Sequence, residues 1–296
     1  MLDFDQALEL TLKRHALHPG ILAALDYAVR PPGKLFRPKL LEALARDAGV
    51  SHTQDILTLG CALEIHHAYT LVHDDMPCMD NDLTRRGKPA THVAFGEWKA
   101  LLTGDALLIA SLAELERLKT PQAALIRRLF HWSTGAKGLI LGQWIDLGLE
   151  AARSPELLMR MHELKTARLM QIAAIGARAL KGTLTLAELK AQLRFGSSTG
   201  LAFQLLDDLD DLCVAELSPH ESAVNPFVLA PQAARERLAR ATREIQQFTG
   251  AHAKAFLASF LKVSSQKVIA QQEQWGAHVT SERTEIVKLL TSGIYS

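Results

Sequence analysis

The sequence is poor in cysteine: Cys61, Cys78 and Cys213 stand far apart and form no C-x-x-C pair. That excludes a disulfide framework and a cysteine zinc site, and it fits a reducing cytoplasm. An excess of either charge is also missing, with 33 Lys plus Arg against 32 Asp plus Glu. No global field draws the chain to nucleic acid or an anionic membrane, so neither is expected as a partner. No uncharged run approaches the length of a membrane span. The start, "MLDFDQALELTLKRH", carries Asp3 and Asp5 where a signal peptide has basic and apolar regions, so none is predicted. Strand-like alternation is absent, and no linker, low-complexity tract or fixed-period repeat divides the chain. Residues 1–296 are expected to form one domain.

What is present is helical patterning from end to end. "ILAALDYAV", "DILTLGCALEIHHAYTLVH", "KALLTGDALLIASLAELERL", "ELLMRMHELKTARLMQIAAIGARAL" and "LAELKAQLRFGSSTGLAFQLLDDLDDL" repeat apolar residues at three- and four-residue steps. Ser154-Pro155-Glu156 offers an N-cap, a proline at the first helical position and an acid in the first turn. Several runs are apolar on more than one face, as central helices of a large bundle are. The expected class is all-α.

Charge is concentrated locally. "LVHDDMPCMDNDLTRRGKPATH" holds Asp74, Asp75, Asp80 and Asp82, and "FQLLDDLDD" holds Asp207, Asp208, Asp210 and Asp211. On a helix Asp207 and Asp211 share a face, with Asp208 about 100° round. Asp74 and Asp80 would diverge on a continuous helix, but Pro77 should break it and let Asp80 swing back. Crowded carboxylates repel one another until a hard divalent cation bridges them, and Mg²⁺ favours a few carboxylates plus substrate phosphate oxygens. A calcium loop starting at Asp80 is excluded, because Arg85 and Thr91 stand where it needs glycine and glutamate.

Cations flank the first cluster. Arg85, Arg86 and Lys88 follow it, and arginine suits bidentate phosphate contact. In "GKLFRP", Lys34 and Arg37 lie three residues apart at a turn entering a helix, and His67 lies two helical turns before Asp74 on the same face.

These motifs, in the order "GKLFRP", "HAYTLVHDDMPCMD", "RRGKP", "GDALL", "GQWIDL", Lys165-Thr166 and "FQLLDDLDD", resemble the bacterial trans-prenyl diphosphate synthases, and most closely those making farnesyl diphosphate. The resemblance covers roughly residues 30 to 212. It implies a single large helical bundle of the isoprenoid synthase type with a central active-site cavity. It also implies three Mg²⁺ ions, two on Asp74 and Asp80 and a third on Asp207, with Asp75, Asp208 and Asp211 as further metal-site aspartates. Arg85, Lys165, Thr166 and Gln204 would hold the allylic diphosphate; Asp74, Asp80, Arg85, Lys165 and Asp207 form the catalytic set. Gly33, Lys34, Arg37, His67 and Arg86 would hold isopentenyl diphosphate. Tyr69 and Thr70 would floor the hydrocarbon channel, since in the family a large aromatic five residues before the first aspartate accompanies a fifteen-carbon product. Relatives are mostly homodimers, so a homodimer is expected.

The chain departs from the family after Asp211. The segment "LCVAELSPHESAVNPFVLAP" lacks the usual lysines that contact the allylic diphosphate, leaving His220 and Asn225 as nearby candidates before Lys254, and the ending "LLTSGIYS" lacks the usual basic residues. Three alternatives stand against farnesyl diphosphate synthesis: geranylgeranyl diphosphate synthesis, a weakly active or non-catalytic partner subunit, and a terpene cyclase. Lys34, Arg37 and His67 argue against the cyclase, which has no use for an isopentenyl diphosphate site.

Overall fold

In a computed structural model, residues 3–50, 54–150, 154–248, 250–279 and 281–292 are described; residues 293–296 of the ending lie outside them. The described chain is helical apart from one small hairpin. Helices α1 (Phe4–His15), α2 (Pro19–Val29), α3 (Phe36–Asp47), α4 (Gln54–Asp74), α5 (Thr91–Phe95), α6 (Glu97–Leu115) and α7 (Ala123–Thr134) come first. Then follow α8 (Leu139–Leu147), α9 (Pro155–His162), a π-helical turn (Glu163–Ala167), α10 (Arg168–Ala179) and α11 (Leu186–Asp211). The last six are α12 (Pro219–Val224), α13 (Pro226–Leu229), α14 (Pro231–Gln247), α15 (Ala251–Ala270), α16 (Gln272–His278) and α17 (Arg283–Ser292). They pack into two compact units, residues 1–128 with 176–184, and residues 129–175 with 185–296.

In the first unit α4 is the core. Every residue from Ile56 to His66 is buried, because α3 and α6 pack along it and leave no polar face. Gly104 lets α6 close on α4: a Cβ there would fall 2.1 Å from His73 Nε2. His73 in turn contacts the Leu101 carbonyl at 3.1 Å.

In the second unit α11 is central, against α14, α15 and the π turn. The helical pattern of residues 156–180 is borne out: α9, the π turn and α10 follow one another without a break, and only the π turn within them was not expected. Apolar spacing looks the same through a single π turn, so the pattern could not show it. Ser154 caps α9 as expected, accepting from Leu157 N at 3.1 Å, with Pro155 at the first helical position.

The hairpin was also missed, since its strands, Thr84–Arg85 and Lys88–Pro89, have two residues each. Its turn residues Arg86 and Gly87 both have positive φ, 55° and 74°, as a type I′ turn requires.

Candidate active site

The first acidic motif starts where α4 stops. The helix ends at Asp74, three residues before Pro77, and the chain folds back until Asp80 N–H donates to the Asp74 carbonyl at 2.8 Å. The hairpin follows and places its arginines apart. Arg85 reaches Asp75, with Nε 2.9 Å from Oδ1, and pairs with Asp82 as well. Asp75 is 2% exposed, and burial pushes its carboxyl up while Arg85 opposes the shift.

Arg86 turns the other way. It donates to the Val29 carbonyl at 3.3 Å and lies 3.6 Å from Glu64 Oε1. Its guanidinium adjoins Gly33, where a Cβ would sit 3.4 Å from Nε. Arg37, in the first turn of α3, is buried, and its Nε has no hydrogen-bond partner. Burial pulls Arg37 down to about 10 against the pull of Glu64. Burial and the charges of Arg37, Arg86 and Arg85 hold His67 neutral, well below the usual histidine range. The structure thus sets Arg37 and Arg86 by buried Glu64, Gly33 against Arg86, and His67 within the field of both arginines, with exposed Lys34 beside Gly33 in the chain. Glu64 was not anticipated; its apolar helix context gave no signal.

Tyr69 is buried, its ring edge-on to His66 at 4.5 Å and to His73 at 5.7 Å. Burial and nearby Asp74 push its hydroxyl up to about 12. Thr70 spends its hydroxyl on the His67 carbonyl at 2.8 Å.

The second motif occupies the last turn and a half of α11 and is tied to the π turn. Thr166 Oγ1 donates to Gln204 Oε1 at 2.6 Å, and Gln204 Nε2 donates to Asp208 Oδ1 at 2.8 Å. Lys165 Nζ lies 2.5 Å from Asp146 Oδ2. Gly142 on α8 permits this arrangement, because a Cβ would come within 2.5 Å of Lys165 N. Asp146 belongs to "GQWIDL", a motif that marked it without revealing its partner. His162, also unanticipated, lies 3.7 Å from Asp208 Oδ2, and burial pulls it down to about 4.

Asn225 is not available as a diphosphate contact. It is 1% exposed, donates to the Asp208 carbonyl at 2.9 Å and caps α13 through its Oδ1. The His220 side chain lies outside the described residues. Instead Lys267 of α15 ion-pairs with Asp210 and feels the charge of Asp207. Nothing in the sequence links a lysine so far downstream to the motif.

Burial divides the carboxylates. Asp75 and Asp208 are buried and bonded to protein donors, whereas Asp80, Asp207 and Asp211 are exposed and Asp74 is half-buried. Among the described residues no three His, Cys, Asp or Glu side chains close on a single ion. All four outward groups offer hard oxygen donors, which fits Mg²⁺, an ion that shares its shell between a few carboxylates and phosphate oxygens.

A chain that among its described residues is helical apart from one small hairpin, with two aspartate-rich motifs each beside fixed cations, defines a protein of the isoprenoid synthase type. The polyprenyl synthetase profile matches residues 18–218, and the chain belongs to that family. Dependence on Mg²⁺ is general in the family. The chain is 31% identical to the farnesyl diphosphate synthase of Bacillus subtilis (strain 168) over 261 residues, covering 83% of this chain and 88% of that protein. It is 36% identical to the geranylgeranyl diphosphate synthase of Pantoea ananas over 251 residues, covering 80% and 81%. The crystal structure of the geranyltransferase from Legionella pneumophila superposes with a TM-score of 0.72 at 29% identity, covering 91% of this chain and 95% of that one. Among the described residues no helix is long and apolar enough to cross a membrane.

Proposed function

We propose that the chain is a cytoplasmic trans-prenyltransferase that joins isopentenyl diphosphate to dimethylallyl or geranyl diphosphate and releases farnesyl diphosphate. One observation carries this reading. Outward carboxylates in two motifs stand beside preorganised cations, while a separate cationic pocket surrounds buried Arg37, whose Nε has no hydrogen-bond partner.

Head-to-tail joining breaks an allylic C–O bond, the alkene of the second substrate attacks the delocalised cation, and the resulting tertiary cation loses a proton to the released diphosphate to restore an alkene; no protein nucleophile is needed. Three bound Mg²⁺ ions would offset the charge growing on the leaving diphosphate. By this reading Asp74 and Asp80 would hold two of them and Asp207, with Asp211 on the same helix face, would hold the third. Asp75 and Asp208, expected among the metal-site aspartates, are in this reading positioning residues: one anchors Arg85, the other anchors Gln204. Arg85 and Lys165 stabilise the same diphosphate from positions already fixed by Asp75, Asp82 and Asp146, so little reorganisation accompanies bond breaking. Thr166 and Gln204 orient it, and Lys267 supplies charge that the shortened loop lacks.

Gly33, Lys34, Arg37, His67 and Arg86 bind isopentenyl diphosphate without metal, so its own C–O bond is not strained toward cleavage. Holding both substrates in reacting geometry supplies much of the remaining acceleration.

A homodimer is part of the proposal, supported by Trp98, Leu101, Leu102 and Ile109, large apolar residues left exposed on α6. The partner-subunit reading rests on the missing lysines, and Lys267 beside Asp210 weighs against it.

The test is to incubate the pure chain with Mg²⁺, isopentenyl diphosphate and either allylic partner, then measure product length. Sustained turnover to fifteen carbons is expected. No turnover without a second protein would favour the partner subunit. Product length bears on the geranylgeranyl alternative, which similarity to the Pantoea ananas protein favours and buried Tyr69 opposes. Tyr69→Ala should open the floor and move product toward twenty carbons; an unchanged product from folded variant protein would place the floor elsewhere.

A further inference from the structure

The second unit contains a cavity of about 630 Å³ that none of the acidic-motif aspartates, Lys165, Thr166 or Gln204 lines. Its walls come from α7, α9, the π turn, α10, α11 and α14. Five arginines and two glutamates are the ionisable residues that line it, a net charge of +3, and the rest of the wall is mostly apolar. The glutamates are already committed. Glu163 pairs with Arg160 at 2.7 Å, and Glu244 pairs with Arg240 at 3.1 Å while accepting from the Ser198 hydroxyl.

Arg168 is the unusual member. It is 3% exposed, its guanidinium lies 4.7 Å over the Trp132 ring, and Nη1 donates to Gln171 Oε1 at 3.0 Å. Its Nε has no hydrogen-bond partner, and Arg237 on α14 also leaves a buried Nε without one. Buried donors of a charged group are costly when unused and are ordinarily satisfied. One water could serve one N–H. Two guanidinium groups in a positively charged cavity instead match the forked acceptors of an anion, and the apolar wall matches an organic body. The volume lies in the range of small-molecule sites.

We propose that this cavity is a second, separate binding site for an amphipathic phosphate monoester, with its head on Arg168 and Arg237 and its apolar body against Leu129, Ile175 and Leu201. The inference does not depend on the reaction proposed above. Two sources share this chemistry, an isoprenoid phosphate and a straight-chain lipid phosphate.

The test uses the full chain carrying Asp74→Ala and Asp207→Ala, kept in chelator so that the acidic motifs cannot retain a metal-bound ligand. Farnesyl phosphate, dodecyl phosphate and inorganic phosphate are titrated by calorimetry, with Trp132 emission followed in parallel. One saturable site for an organic phosphate is expected, with an emission change that disappears in Trp132→Phe. Tighter binding of farnesyl phosphate would identify an isoprenoid source, and equal binding of both esters a general lipid phosphate. Arg168→Met and Arg237→Gln should each weaken binding at least tenfold; if Arg168→Met does not fold, Arg237→Gln alone decides. Returned to the otherwise unaltered chain, Arg237→Gln should leave prenyl transfer without added phosphate ester unchanged. Absence of saturable binding, the same affinity in Arg237→Gln, or displacement by isopentenyl diphosphate at equal stoichiometry would overturn the proposal.

Discussion

The two acidic motifs present the same letters through different constructions. The first depends on a broken helix: α4 stops at Asp74, and the fold-back and hairpin bring Asp80 and Arg85 into place. The second depends on an unbroken one, where α11 runs to Asp211 and helical spacing alone sets Asp207 and Asp211 one turn apart. Yet both bury the second aspartate of the D-D pair and keep the first more accessible. A D-D pair therefore does two jobs, one outward and one inward, whatever backbone carries it.

The largest effects should separate those jobs. Asp74→Ala and Asp207→Ala should each lower kcat by about a thousandfold or more, as loss of central electrostatic stabilisation does. Their urea midpoints should hold or rise, because like-charge repulsion is relieved. Asp75→Asn and Asp208→Asn should instead lose about 1–3 kcal/mol of stability by disturbing buried charged hydrogen bonds, with a smaller kinetic loss of roughly tenfold, one lost transition-state interaction of about 1.4 kcal/mol. Kinetics and urea melts of all four check this. If Asp75→Asn matched Asp74→Ala in turnover while remaining fully stable, the inward and outward division would fail.

Next come the cationic groups. Lys34→Ala should raise KM for isopentenyl diphosphate by roughly tenfold, the scale of one charge-assisted hydrogen bond, and Lys165→Ala should chiefly impair use of the allylic partner. Equal effects on both substrates in each variant would merge the two pockets into one.

A smaller effect, a few-fold increase in the Mg²⁺ needed for half-maximal rate, is expected for Lys267→Ala; an unchanged magnesium titration would show that its ion pair with Asp210 is only structural. The smallest concerns acid stability. His66 and His162 are held neutral by burial at about 3 and about 4, so below pH 6.5 the unfolded chain binds more protons. Stability should hold above pH 6.5 and fall from there toward pH 4, by about 1.4 kcal/mol per pH unit for each histidine. The raised carboxyls of Glu64 and Asp75 act with the opposite sign as pH falls through their folded values. Urea midpoints between pH 7 and 4 measure the balance, and a flat profile would mean that these carboxyls cancel the histidines.

Helical class, the capped start of α9 and the fold-back after Asp74 were legible because each follows from local rules: apolar period, cap chemistry and a proline. The grouping of Lys165, Thr166, Gln204 and Asp208 was accessible through family motifs. Glu64, His162 and Lys267 were not legible, because their roles depend on tertiary neighbours far away in the chain. The π turn escaped for a different reason: one extra residue per turn leaves the apolar rhythm nearly intact. Asn225 was misread for want of its burial, which commits both ends of its amide to the backbone.

The hairpin at Arg85 and Arg86 has an evolutionary consequence. Arg85 ends its strand and Arg86 opens the turn with a positive φ, and this change of backbone direction lets one arginine serve Asp75 and Asp82 while its neighbour serves Glu64 and the Val29 carbonyl. A single residue inserted or deleted between Asp82 and Gly87 would carry both arginines away from these positions and break the turn. This stretch should therefore accept altered residues far more readily than altered length, and lineages diverging in specificity should keep its residue count even where they change its letters.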